Sequence, residues 1–157
     1  MKHFLFLIIT SLLYSANSEA QSPSGIQSSF FAIIVEDLDV SSEWYQKILG
    51  YEVSKTFISE ERGIGQVNLQ NEDNNIELIE LGSAVNPRNA VPGYSHKTRL
   101  TGIFKVGYIV DDFDKWVLHL HRHKAELSGN VVTDPVSDKR MVILLDPDGN
   151  RIQIFER

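Results

Sequence analysis

Near its C-terminus the chain runs Leu144-Leu145-Asp146-Pro147-Asp148-Gly149-Asn150-Arg151-Ile152-Gln153-Ile154-Phe155-Glu156. Pro147 presets the first corner of a tight turn, Gly149 supplies a positive φ, and the Asp and Asn side chains bond their own backbone. The turn therefore joins two strands, Met141 to Leu145 and Arg151 to Glu156, with a third strand candidate upstream at Asn130 to Thr133. Before these, Phe113, Trp116, Val117 and Leu120 stand at i, i+3, i+4 and i+7, the spacing of a helix with one buried stripe. Asp111-Asp112 ends a preceding strand, Phe104 to Val110, and can cap that helix. The order is β-α-β-β-β.

The same order occurs once more, earlier in the chain. Val35-Glu36-Asp37-Leu38-Asp39 repeats the strand-to-helix corner Val110-Asp111-Asp112-Phe113-Asp114. Phe30 to Val35 is apolar at every position, which predicts a strand covered on both faces. Val40, Trp44 and Ile48, with Tyr45 and Leu49, make a helical stripe that Gly50 stops. Strands are expected at Glu52 to Ser59, Gly65 to Gln70 and Ile76 to Leu81, separated by turn-formers. Gly82 to Gly102 has no sustained period and reads as a crossing segment. The organisation is one domain with a first module at about 30–81, a linker at about 82–102 and a second module at about 103–157.

The chain has 157 residues, 42% hydrophobic and 23% charged, the composition of one ordinary globular domain. A formal charge of -6 leaves no broad basic surface for phosphates, so nucleic acid is not an expected partner. The absence of cysteine excludes disulfides, thiolate metal sites and a cysteine nucleophile. Residues 1–20 read as a secretory signal peptide. Met1-Lys2-His3 is a basic start, Phe4 to Tyr14 is an apolar run too short to span a bilayer, and Ser18-Glu19-Ala20 is a cleavage site with small residues. The alternative is an uncleaved anchor, which needs a longer apolar run. Export to the periplasm or the outside medium follows, with 21–29 as a flexible leader and no membrane association after cleavage.

The turn Asp146 to Asn150 between Leu144-Leu145 and Arg151 to Glu156, the start Val35-x-Asp37-Leu38 with Trp44-Tyr45 and Leu49-Gly50, and Val110-Asp111-Asp112 together resemble the vicinal oxygen chelate superfamily. That group includes glyoxalase I, bleomycin-resistance proteins and extradiol dioxygenases. The resemblance covers about Phe30 to Glu156. It implies an α+β fold in which two βαβββ modules form an open, curved half-barrel sheet, with helices outside and a ligand in the concavity. It does not imply a reaction. Relatives are often dimeric, so it also admits a homodimer.

In metal-dependent relatives four His or Glu side chains hold a divalent ion, and the resemblance carries those positions onto Phe30, Glu77, Lys105 and Gln153. Glu77 alone is a usual ligand. Phenylalanine offers no lone pair, an ammonium repels a cation, and an amide binds transition metals weakly. No metal and no cofactor is therefore expected, and Lys105 can be pictured where the ion would sit, paired with Glu77 and bonded by Gln153. Both charges reaching separately to solvent is the competing picture. Strand alternation puts Phe30, Ala32, Ile34, Glu77, Ile79, Lys105, Gly107, Ile109, Gln153 and Phe155 on the concave faces. An apolar, aromatic wall with three polar groups suits a flat small molecule, although the same side chains would serve as simple core.

Other residues are weaker candidates. Of His119, His121 and His123, only His119 and His123 share a helix face, and two imidazoles are half a zinc site. His96 lies in the linker, where it can close over a ligand or sit on the surface. The expected function is non-catalytic binding or sequestration of a small apolar or aromatic molecule. A metal-dependent lyase or dioxygenase with ligands such as His96 or His123 beside Glu77, and an interaction module, are the alternatives.

Overall fold

The computed structural model describes residues 29–95 and 97–157, so the leader peptide expected at 1–20 and His96 lie outside the described residues. Module one consists of β1 (Phe30–Val35), α1 (Leu38–Leu49), β2 (Glu52–Ser59), β3 (Ile64–Asn71) and β4 (Asn74–Leu81). A short helix α2 (Pro87–Ala90) lies in the linker. Module two repeats the first with β5 (Val106–Val110), α3 (Phe113–Arg122), β6 (Val132–Thr133), β7 (Arg140–Leu145) and β8 (Arg151–Glu156). Each module makes one four-stranded sheet, ordered β1-β4-β3-β2 and β5-β8-β7-β6. The strand entering each helix pairs in parallel with the last strand of its module, and the other pairs are antiparallel.

Local chemistry sets the helix bounds. Asp37 stays extended and its carboxylate accepts from the Val40 amide at 2.9 Å, which starts α1 at Leu38, two residues before the apolar stripe begins. Gly50 ends it in the left-handed region, φ 71°, where its amide reaches the carbonyls of Gln46 and Tyr45. Asp112 caps α3 through the Lys115 amide in the same way. Each helix then lies across one face of its sheet. Val35, Leu69, Ile76 and Leu78 are buried with Tyr45, Ile48 and Leu49 in module one, and Val142, Leu144, Ile152 and Ile154 are buried with Phe113 and Leu120 in module two. All belong to one continuous core.

The opposite faces of both sheets are open, which corrects the expectation for β1. Phe30 is 65% and Ile34 54% exposed, while Val35 is buried, so the strand is covered on one face only. The module-two strands are also shorter at their starts than expected: β5 begins at Val106 and β6 keeps only Val132 and Thr133. The linker, expected to lack regular structure, contains α2, begun by Pro87 and capped by the Asn86 side chain on the Arg88 amide.

Polar bonds join the modules. The Tyr45 hydroxyl of α1 donates to Asp146 Oδ2 at 3.1 Å, and the Asp146 carboxylate also accepts from the Asn150 amide at 2.7 Å and its side-chain nitrogen at 2.9 Å. Burial raises the Tyr45 phenol far above its ordinary pKa, helped by the neighbouring Asp146 charge, so it remains a donor at all working pH values. The Tyr51 and Tyr108 hydroxyls meet at 2.9 Å, and His119 Nε2 bonds the Ile48 carbonyl at 3.0 Å. Tyr45→Phe removes a buried bond to a carboxylate and should cost about 1.5–3 kcal/mol, against about 0.5–1.5 kcal/mol for Tyr51→Phe in the neutral pair. Urea unfolding of the two variants measures the order; equal losses would mean that the Asp146 charge contributes nothing to this joint.

Candidate functional site

Strand register fixes what the open faces present. On the module-one sheet, one lateral row runs Ala32, Glu77, Asn68, Lys55 and the next Ile34, Ile79, Gln66, Phe57. The Gln66 amide donates to Asn68 Oδ1 at 2.7 Å, so a polar patch surrounds Glu77. A hollow of about 200 Å³ lies there, between Phe30, Ser54, Asn75 and Glu77. The module-two sheet is more apolar: one row is Gly107, Gln153, Ile143, and the next is Ile109, Phe155, Met141, Val132. Ile109 is 65% exposed, whereas Gln153, on a central strand between its neighbours, is only 6% exposed. Alternation thus places the expected side chains on the helix-free faces, but on two separate surfaces.

A larger cavity, about 430 Å³, is elsewhere. It lies at the seam between β1, the edge strand of the first sheet, and module two, beneath the linker. Phe31, Ala32, Ile33 and Ile34 form one wall, and Lys105, Val106 and Ile152 form another. Asp148, Gly149 and Asn150 of the tight turn close one end, Arg88 and Tyr94 come from the linker, and Ile103 and Phe104 from the segment that leads into β5. Two cations are positioned by their neighbours. A Cβ at Gly149 would run into the Arg88 guanidinium, so Arg88 lies directly over that glycine, whose φ of 82° favours the missing side chain for a second reason. The Arg151 guanidinium stacks over the Phe104 ring, 5.1 Å from its centre.

The four positions compared with metal ligands do not come together. Glu77 and Phe30 border the hollow on the first sheet, Lys105 stands at the seam, and Gln153 is packed into the second sheet. No ion pair or hydrogen bond links Lys105 to Glu77 or Gln153 among the described residues, which corrects the picture of a charge pair in place of the ion. Lys105 is exposed and instead contributes to holding Asp134 below the ordinary carboxylate range, after the Ser137 hydrogen bonds that dominate that shift. No three His, Cys, Asp or Glu side chains converge among the described residues. With a phenyl ring, an ammonium and an amide at three of four positions, the donor set does not fit a divalent metal.

His119 and His123 do share a face, with ring centres 4.4 Å apart. Partial burial first, then His119, Lys47 and Arg122, lower the His123 pKa, and His119 already spends one nitrogen on Ile48.

Of the expected wall, the seam gathers Ala32, Ile34 and Lys105. Arg151 was legible by the same alternation, two residues before Gln153. Arg88 and Tyr94 had no signal, because an aperiodic linker does not show what it covers.

This repeated βαβββ architecture defines a class. The model of the Glyoxalase/Bleomycin resistance protein/Dioxygenase superfamily matches residues 27–154, and the chain belongs to that superfamily. It is 30% identical over 126 residues to the uncharacterized protein YwkD of Bacillus subtilis, covering 80% of this chain and 93% of that one. The uncharacterized protein YaeR of Escherichia coli is likewise 30% identical over 126 residues, covering 80% and 92%. Among solved structures, the glyoxalase family protein from Enterococcus faecalis superposes with a TM-score of 0.68 at 16% identity, over 84% of this chain and 97% of that one. That likeness shows the fold alone.

Asp148, at the cleft's end, accepts from the Glu36 amide at 3.1 Å and the Ser41 hydroxyl at 3.4 Å. Burial raises its pKa above 3.8, with the like charges of Asp146 and Glu36 adding to the rise. The folded state therefore holds this proton more tightly than the unfolded state, and the charged form weakens the fold as pH rises from that value through the raised one. Asp148→Asn keeps an acceptor and removes the charge. Its urea midpoint should exceed that of the unaltered chain at about pH 7, with the advantage vanishing well below the carboxylate's ordinary pKa. An advantage that persists unchanged in acid would rule out ionisation as the cause.

Proposed function

We propose that this superfamily member is an exported protein that binds or sequesters a small apolar or aromatic molecule without a metal, at the seam between its two sheets. The observation that carries the reading is the cavity of about 430 Å³, within the usual size of small-molecule sites, walled by Phe31, Ile33, Ile34 and Phe104 with a few polar groups at its margin. The helix-free faces offer only the hollow of about 200 Å³ beside Glu77, and among the described residues the donor set around Glu77 gives a metal-dependent lyase or dioxygenase no coordination sphere. Protein purified without chelator should contain substoichiometric metal, and Glu77→Gln should leave its thermal response to added zinc, nickel or manganese unchanged. A ligand present at about 100 times its Kd stabilises by about 2.7 kcal/mol, a Tm rise on the order of 5–10 °C for a chain of this size. A screen of flat aromatic compounds should find such a rise. Stoichiometric metal lost on Glu77→Gln, or silence across the panel, would overturn the reading.

The open faces favour a second copy of this chain as partner. The row Ile109, Phe155, Met141, Val132 is an apolar strip on one sheet, and Phe30, Ile34 and Phe57 are exposed on the other. Under twofold symmetry the second sheet of one copy faces the first sheet of the other, and the contact is made twice. Light scattering should give the mass of a dimer, and Ile109→Asp that of a monomer with its far-ultraviolet circular dichroism retained. A monomeric unaltered chain at high concentration would dismiss this partner.

A further inference from the structure

We propose that the ligand of the seam cleft is an organic anion, an oxyanion group on a flat apolar body. This inference rests on the reading of the seam as a binding site and adds the charge of the molecule that enters it. The chain as a whole is acidic, with a formal charge of -6. Its cleft is the reverse. Arg88, Arg99, Lys105 and Arg151 line it, against Asp148 alone among acidic side chains.

Three of these cations, Arg88, Lys105 and Arg151, are in no ion pair among the described residues, although Lys105 lends a minor part of its field to Asp134. The ion pairs of Lys115 with Asp112, of Arg140 with Asp114 and Glu156, and of Arg157 with Asp111 involve none of these three and lie outside the cleft. Arg88, Lys105 and Arg151 have no carboxylate within ion-pair distance among the described residues. Asp148, the acid that shares their cavity, is instead bonded to the Glu36 amide and the Ser41 hydroxyl. Cations left unmatched inside a concave, partly apolar space attract an anion more strongly than the same charges on open surface, because field lines are confined there.

The geometry adds the shape of the anion. Arg88 lies over Gly149, and Arg151 is stacked on the Phe104 ring. A guanidinium meets a carboxylate or phosphate with two parallel hydrogen bonds, and one already stacked on a ring does so at small entropic cost. The walls beyond them, Phe31, Ile33 and Ile103, offer the apolar body its contact. The three charges come from three segments: the linker helix, the entry to β5 and the start of β8. Only the packed seam brings them together.

Isothermal titration with 1-naphthoate, 1-naphthyl phosphate and the neutral 1-naphthamide tests the charge at constant ring. At least one of the two anions should bind about tenfold or more tightly than the amide, as expected for charge-assisted bonds, and should weaken as salt is raised. The double variant Arg88→Gln with Lys105→Gln should abolish the preference while leaving amide affinity within about twofold, and Lys115→Gln, which removes a cation on α3, should leave the preference intact. Arg151→Gln supplies an independent measurement should the double variant fail to fold. The two anions separate a carboxylate from a phosphate ligand. If the amide binds as tightly as both anions, the anion assignment falls and the binding reading stands. If none of the three binds, both fall.

Discussion

One buried hydrogen bond, from the Tyr45 hydroxyl to the Asp146 carboxylate, fixes the geometry on which the cleft depends. Asp146 is almost wholly inaccessible, and a carboxylate in that position is tolerable only because Tyr45 and both nitrogens of Asn150 bond to it. The same three bonds set the shape of the turn between β7 and β8 and tie it to α1. From that turn hang Asp148, which holds the start of α1, Gly149, which receives Arg88, and Arg151, which stacks on Phe104. The position of the cleft's end, of two of its cations and of the linker above it therefore follows from one inaccessible carboxylate.

Two sheets that keep their helices on one side leave the other side bare, and this divides the chain's chemistry. The face around Glu77 is polar and has only a hollow of about 200 Å³, and the face around Phe155 is apolar. Enclosure arises where the sheet edges meet under the linker. The superfamily's scaffold is intact while three of the four positions compared with metal ligands carry a phenyl ring, an ammonium and an amide, and the proposed recognition therefore falls to the seam and its charges.

The fold was legible because its signals are local and occur twice. The corners Val35 to Asp39 and Val110 to Asp114, the helical stripe through Phe113 and Leu120, and the turn at Pro147 to Gly149 each determine their own conformation. The helix-free faces were legible for a related reason: a two-residue period assigns Phe30, Glu77 and Phe155 to a side without knowledge of the partner strand. That period also explains the error at β1. Alternation cannot be seen where both sides of a strand are apolar, and Phe30, Ala32 and Ile34 are apolar yet accessible. The seam was beyond reach from sequence, since it depends on how one module docks on the other and on where an aperiodic linker comes to rest. Lys105 is expected on a strand that begins only at Val106, and its expected partner Glu77 borders a different hollow.

Half of the Tyr45 to Asp146 bond belongs to each module, and that has a consequence for how the chain can be assembled. A polypeptide severed in the linker yields one fragment with a phenol shaped for burial and another with a carboxylate that has lost a donor. The cut would also divide one continuous core between the two pieces. The internal duplication visible in the sequence is therefore a repetition of form, since each module completes buried contacts of the other.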